Sequence, residues 1–409
     1  MAESIPSPSA ASAVTRGSFL AAIFLMATSA IGPGFITQTA TFTAKLGSAF
    51  AFAILASILI DFVVQLNIWR ITALTRRNAS DTANAAIPGA GYFLAVLILV
   101  GGLAFNVGNI AGAGLGLNAM FGLDPKIGGA ASAFLAIGIF LSRRAGLLLD
   151  RAIIGLGILM IAMTLVVAFT TNPPVGEALR QTFMPDVIDF ATITTIVGGT
   201  VGGYITYSGA HRLLDKGLVG EENLAAVTRA SLTGIAVTGV MRFVLFLAIL
   251  GVVASGVTLD LSGQAANPAA QAFAHALGEG GMRIFGVILW AAAITSVIGA
   301  SYTSVSFLTR SSTPERTRNL LTVGFIVIGT ILYMLLGQAP VTLLIFAGAF
   351  NGVILPLGFA VIMWVAWRRR DLLHGYKYPG WLLVAGLLAW LLTLFLGIQS
   401  LSGLGKLWA

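Results

Sequence analysis

Ser29-Ala30-Ile31-Gly32-Pro33-Gly34-Phe35-Ile36-Thr37-Gln38-Thr39 lies inside an apolar segment that runs from 18 to 44. Pro removes a backbone donor and clashes with the preceding turn, and Gly lowers helix propensity by about 1 kcal/mol relative to Ala. A Gly-Pro-Gly at this place predicts an unwound stretch within the segment. Val197-Gly198-Gly199-Thr200-Val201-Gly202-Gly203-Tyr204-Ile205-Thr206-Tyr207-Ser208-Gly209 interrupts the sixth apolar segment in the same way.

These segments belong to a series. Apolar runs fall near 18–44, 48–74, 92–121, 127–145, 152–170, 190–211, 226–254, 282–308, 319–337, 340–367 and 380–402. Each is long enough to cross a bilayer core. Lipid offers no hydrogen bonds, so such runs must be helices or barrel strands. Barrel strands alternate apolar and polar residues, whereas these runs are continuously apolar, so the chain is expected to be an all-α integral membrane protein. Composition agrees: 57% of the 409 residues are hydrophobic and 9% are charged, far below the roughly 25% charged residues of a soluble domain. The 49 glycines suit helices that pack closely or break. Cysteine is absent, which excludes disulfides and thiolate metal sites.

The basic residues are segregated. Counting loops alternately from the N-terminus, one side receives Arg16, Arg70, Arg76, Arg77, Arg143, Arg144, Arg151, Arg212, Lys216, Arg229, Arg310, Arg316, Arg318, Arg368, Arg369, Arg370 and Lys377. The other receives Lys45, Lys126, Arg180, Arg283 and Lys406. The positive-inside rule then places the N-terminus in the cytoplasm and the C-terminus outside, which needs an odd number of spans; eleven satisfies it. The net charge of +8 is thereby explained by topology and gives no reason to invoke nucleic acid. Residues 1–16 read as a disordered cytoplasmic tail, and the stretch that follows reads as a first helix, not a cleaved signal.

Non-helical backbone at membrane depth is tolerated only where protein or a cavity covers it. The breaks in segments one and six are five helices apart, and paired breaks at matching places in two repeats point to a transporter's substrate site. A single break is equally well a simple kink; the flanking Thr, Gln, Tyr and Ser residues favour a site. The expected substrate residues are Gly32, Pro33, Gly34, Phe35, Thr37, Gln38 and Thr39 in the first segment. Gly202, Gly203, Tyr204, Thr206 and Tyr207 are expected from the sixth.

Gly32-Pro33-Gly34, Leu117-Asn118-Ala119-Met120-Phe121-Gly122 and Asn351-Gly352-Val353-Ile354-Leu355-Pro356, in their order and spacing, resemble the NRAMP family. The resemblance covers nearly the whole chain. It implies a LeuT-type fold of two inverted five-helix repeats, here 17–170 and 190–367, with an extra eleventh helix at 380–402. The departures matter. Metal transporters of the family carry Asp-Pro-Gly-Asn in helix one, where this chain has Gly32-Pro33-Gly34-Phe35. Their Met-Pro-His in helix six has no counterpart near Gly202-Gly203-Tyr204. The acids expected on the family's proton route appear as Asn106 and Asn109, which join the list of substrate residues.

Hard cations want carboxylate oxygens and transition metals want imidazole or sulfur, so this donor set disfavours a divalent ion. Half-helix N-termini present a positive dipole end to anionic groups. A small organic solute is therefore expected, and the resemblance to a branch associated with oxoprolinase-type enzymes suggests a carboxylate such as 5-oxoproline. The alternative is NRAMP-type divalent metal transport. No cofactor motif and no nucleophile with a nearby base is visible, which leaves an enzyme without support. A channel is separated from a transporter by a flux-ratio measurement.

Two groups stand out as carriers of ion coupling, by H+ or Na+. Asp61 lies mid-segment in Leu59-Ile60-Asp61-Phe62-Val63, and an intramembrane acid is a functional hypothesis by default. Its alternative is a static pair with Arg242, a basic residue deep in the seventh segment. His211 closes the sixth segment and titrates near neutral pH, or else simply caps that helix with Arg212 and Asp215. Arg368-Arg369-Arg370 reads as a topology anchor that meets anionic lipid.

Overall fold

The computed structural model describes residues 32–309 and 313–406; the tail 1–16, the front of the first apolar segment and Arg310 lie outside them. Among the described residues every regular element is helical. In chain order they are α1 (Pro33–Leu46), α2 (Phe50–Thr75), α3 (Ala79–Ala86), α4 (Ala90–Phe121), α5 (Pro125–Leu141), α6 (Arg143–Thr170) and α7 (Val175–Phe183). Then follow α8 (Phe190–Thr200), α9 (Tyr204–Asp215), α10 (Leu224–Ala254), α11 (Pro268–Leu308), α12 (Glu315–Leu336), α13 (Pro340–Arg368) and α14 (Gly380–Lys406). Seven of the described spans are long and apolar enough to cross a membrane, or eight if the pair Ile154–Thr170 and Val175–Phe183, bent by 107°, is one span. This is a multi-pass membrane protein.

Loop punctuation becomes capping. Asp124 accepts from the amides of Lys126 and Ile127 at 2.9 and 3.2 Å, with Pro125 at the first helical position of α5. Such a cap satisfies donors that a helix start leaves free, while Pro there forfeits none. Three stretches expected to be connections carry helix. Asn78 caps α3 by accepting from Asp81 N at 2.7 Å. In α7, Ala178, Gln181 and Thr182 are buried while most of its other residues are not, too short and too polar a pattern to register as a span. The polar insertion 255–281 contains the start of α11, capped by Asn267 and kinked at Gly278, which has φ 70°.

α4 is the central post and packs mainly on α11, α13 and α5. Small residues make this possible, because lipid supplies no hydrophobic drive between helices and close backbone approach must. Gly112 leaves room for Pro33, Gly114 for the carbonyl of Pro125, and Gly116 for the backbone of Trp290. A Cβ on Gly116 would stand 2.7 Å from Trp290 N, and backbone cannot swing aside. Gly116→Leu is therefore expected to destabilise the protein by about 1–3 kcal/mol or more through overpacking. A melting temperature in detergent equal to that of the parent would contradict this.

Candidate functional site

The sixth apolar segment is interrupted, but over a shorter stretch than its glycines from Gly198 to Gly203 suggest. α8 stays helical through Thr200, and α9 restarts at Tyr204. The amides of Val201 and Gly202 both turn back to Val197 O, at 2.9 and 3.1 Å. Gly203 then takes φ 52°, ψ −123°, a conformation that side chains disfavour. Gly198 and Gly199 belong to the helix and serve contact. Gly198 lies against the backbone of Gly348 and Gly352, and Gly199 against the side chain of Gln38. Beyond the break, Trp69 Nε1 donates to Thr206 O at 3.0 Å and so pins the first turn of α9 to α2.

In the first span, Pro33 opens α1 after an extended Gly32 (φ −84°). What precedes Gly32 lies outside the described residues, so only the second half of the expected break is seen. Gln38 is fully buried; its Nε2 donates to Leu344 O at 3.2 Å, and its Oε1 has no partner among the described residues. Gly199, Gly348 and, at 3.7 Å, Gly34 leave the space this side chain fills. From α13, Asn351 Nδ2 donates to Gly101 O at 3.1 Å and Ala347 O at 2.8 Å, while its Oδ1 stands unpartnered where a Cβ on Gly203 would go. From α4, Asn109 lies beside the Tyr204 hydroxyl, and the Tyr204 ring meets Phe105 edge-on at 5.3 Å. Ser304 Oγ, from α11, faces Gly102 without a partner.

Buried polar atoms are almost always hydrogen-bonded, and leaving one unpaired in an apolar interior is costly. Here Gln38 Oε1, Asn109 Nδ2, Thr206 Oγ1, Tyr207 Oη, Ser304 Oγ and Asn351 Oδ1 are all unpartnered among the described residues; Asn351 Oδ1 lies at Gly203 itself, Asn109 beside Tyr204, and Gln38 one helical turn back at Gly199. Beside it is a small hollow lined by Leu94, Ile98, Gly203, Tyr207, Leu355 and Gly358. The arrangement offers amide and hydroxyl groups of both donor and acceptor character. Among the described residues, no three His, Cys, Asp or Glu side chains come together in a way that could hold a metal ion.

Several expected residues sit elsewhere. Phe35 packs beneath the Arg242 guanidinium, whose carbon is 4.3 Å from the ring centroid. Thr39 Oγ1 donates to Phe35 O at 2.7 Å, so its hydroxyl is turned onto its own helix. Thr37 is buried in α1, and Gly202 remains within the break, folded against Gly198. Asn106 faces Gly329 of α12 with both side-chain polar atoms unpartnered. His211 lies two turns past the break, 3.8 Å from Asp215 Oδ1 and against Phe307, apart from the polar cluster. Asn351 and Ser304 were not among the expected site residues. Asn351 opens the stretch Asn351–Pro356 on which the family resemblance rests, and the run Ser301-Tyr302-Thr303-Ser304 was the available signal for the other.

Asp61 is 3% exposed and accepts from Thr200 Oγ1 at 2.6 Å, through its Oδ2. The carboxyl thus touches the last residue before the break. Arg242 acts on it electrostatically, but the two make no direct ion pair.

A family model described as natural resistance-associated macrophage protein-like matches residues 23–403. An "Uncharacterized membrane protein" of Haemophilus influenzae is 51% identical over 386 residues, 94% of this chain and 95% of that one. Among solved structures, a manganese transporter of Eremococcus coleocola superposes with a TM-score of 0.70 at 15% identity, covering 99% of this chain and 90% of that one. MhsT in complex with L-phenylalanine superposes with a TM-score of 0.64 at 19% identity, covering 93% and 98%. At such identities these two establish a shared fold, that of LeuT-type transporters.

Proposed function

The chain belongs to the natural resistance-associated macrophage protein-like (Nramp) family, and from that premise we propose that it is a secondary transporter of a small organic solute, working by alternating access. The observation that carries this reading is the cluster of unpartnered amide and hydroxyl groups around the Val201–Gly203 break. The two helix starts at this site, α1 after Gly32 and α9 after Gly203, offer first-turn N–H groups and a positive dipole end. That environment suits a solute with a carboxylate, of which 5-oxoproline is an example, and hydrogen-bonding edges for Gln38, Asn109 and Asn351. Repeats 17–170 and 190–367 form the two halves that rock about the site, with the helix at 380–402 added outside them. Coupling is to H+ or Na+, and the membrane is the bacterial plasma membrane with the N-terminus inside.

Divalent metal transport is the second reading, favoured by the fold shared with the Eremococcus manganese transporter. The donor chemistry separates the two. Amide and hydroxyl oxygens without a carboxylate, imidazole or thioether bind Mn²⁺ weakly. Titration calorimetry of the purified protein is expected to show Mn²⁺ binding no tighter than about millimolar, near −4 kcal/mol. Micromolar binding that disappears on substitution of Gly32 to Phe35 would establish the metal reading instead. A thermal-shift screen of organic acids, amides and divalent ions is expected to return an organic solute.

A further inference from the structure

Two charges deep in the bundle touch the start of α1 and the end of α8. Arg242, on α10, lies over the ring of Phe35, the third residue of α1 and the first after Gly32-Pro33-Gly34. Asp61, on α2, holds the hydroxyl of Thr200, the last residue of α8 before its break. Arg242 is 2% exposed, and its Nε and Nη2 have no hydrogen-bond partner among the described residues; neither has Asp61 Oδ1. The two groups attract each other through a low-dielectric interior without a bond between them. Buried charges ordinarily pair closely or are replaced by apolar groups, so a held-apart pair with spare valences on both sides calls for a reason.

We propose that Asp61 and Arg242 form a two-charge link that makes α1 and α8 move together, and that protonation of Asp61 Oδ1 releases it. With the carboxylate ionised, attraction draws α2 and α10 together, and with them Thr200 and Phe35. A proton from solution on Oδ1 cancels the attraction and leaves the Thr200 hydrogen bond in place, so α1 is freed from α8. The guanidinium carbon, 4.3 Å from the Phe35 ring centroid, makes a cation–π contact that Arg forms more often than Lys. Arg242 is thus a positioning residue, acting on the site through Phe35. The groups facing Asp61 are Thr200 from α8 and Arg242 from α10; its neighbour Gln65 on α2 is turned to Ser231, with Nε2 3.4 Å from the hydroxyl. The inference rests on the alternating-access reading above.

The chain has no cysteine, so a single introduced thiol is an unambiguous reporter. Leu97 lies on α4 among the residues that line the hollow beside Gly203. In nanodiscs, labelling of Leu97→Cys by a charged, impermeant maleimide is compared with that of Ser262→Cys in an exposed loop, which corrects for thiol ionisation. The corrected rate in the parent is expected to change about fivefold between about pH 5.5 and about pH 8. Asp61→Asn should make it flat. Arg242→Gln and Phe35→Leu should each move the midpoint by about one pH unit or more, and Arg242→Lys should restore only part of the response. The double variant Asp61→Asn/Arg242→Gln should recover the parent's melting temperature yet stay flat, whereas a merely structural pair would recover both. A Phe35→Leu profile identical to the parent, or a pH response that survives in the double variant, overturns the link. So does a flat parent profile when the solute screen is positive; a negative screen instead removes the transporter reading.

Discussion

Gly203→Leu is expected to abolish transport while leaving the protein helical and in the membrane. The residue sits at φ 52°, and its Cβ would coincide with Asn351 Oδ1. Asn351 cannot retreat, because its Nδ2 is committed to Gly101 O and Ala347 O. A side chain here displaces the turn between α8 and α9 and fills the hollow at once. Misplacement by about 1 Å in a site of this kind costs on the order of 100-fold in rate, and loss of the cavity costs more. Uptake into proteoliposomes of the solute found by thermal shift measures the effect, and circular dichroism checks the fold. Backbone strain alone is controlled by Gly217→Leu, since Gly217 has φ 69° but open space around it. That variant should transport normally. If Gly203→Leu also does, the break is not the site.

Asp61→Asn is expected to keep exchange of substrate across liposomes and to lose its accumulation against a pH gradient. Asn preserves the size of the side chain and can still accept from Thr200, so the local geometry at the end of α8 survives. What it cannot do is bind and release a proton. The acids that the family resemblance places on a proton route are Asn106 and Asn109 in this chain, which leaves Asp61 as the carboxylate buried next to the break. A proton-coupled transporter reduced to an exchanger loses the whole concentration ratio that the gradient sustains, about tenfold per pH unit for one proton. Accumulation equal to that of the parent would make Asp61 structural and direct attention to a bound Na+ or to His211. His211 is the weaker candidate on geometry, since it stands apart from the break with Asp215 at 3.8 Å.

What the bilayer dictates was legible in the residues alone. Continuous apolar runs, few charges and segregated arginines can be met only by a bundle of crossing helices, because lipid leaves backbone groups no other partner. The glycines before Tyr204 marked the interruption there, and Pro33 the start of α1, for the same reason: local backbone chemistry acts within a few residues and is visible in them. The register of the second break was another matter. Gly198 and Gly199 look like breakers, yet they are helical, because α13 and Gln38 press so close that only glycine fits. A glycine kept for approach and a glycine kept for φ read alike in a sequence. The site itself came from three-dimensional packing. Gln38, Asn109, Ser304 and Asn351 are spread over more than 300 positions, and only the crossing of α1, α4, α11 and α13 brings Gln38 to Gly199, Asn351 to Gly203 and Asn109 to Tyr204. Tertiary structure also sent Phe35 to Arg242 and Thr39 to its own helix, since which face of α1 looks into the site is set by its neighbours. And it left Asp61 bound to Thr200 and not to Arg242: two charges in a chain suggest a pair, but the helices that carry them decide how near they come.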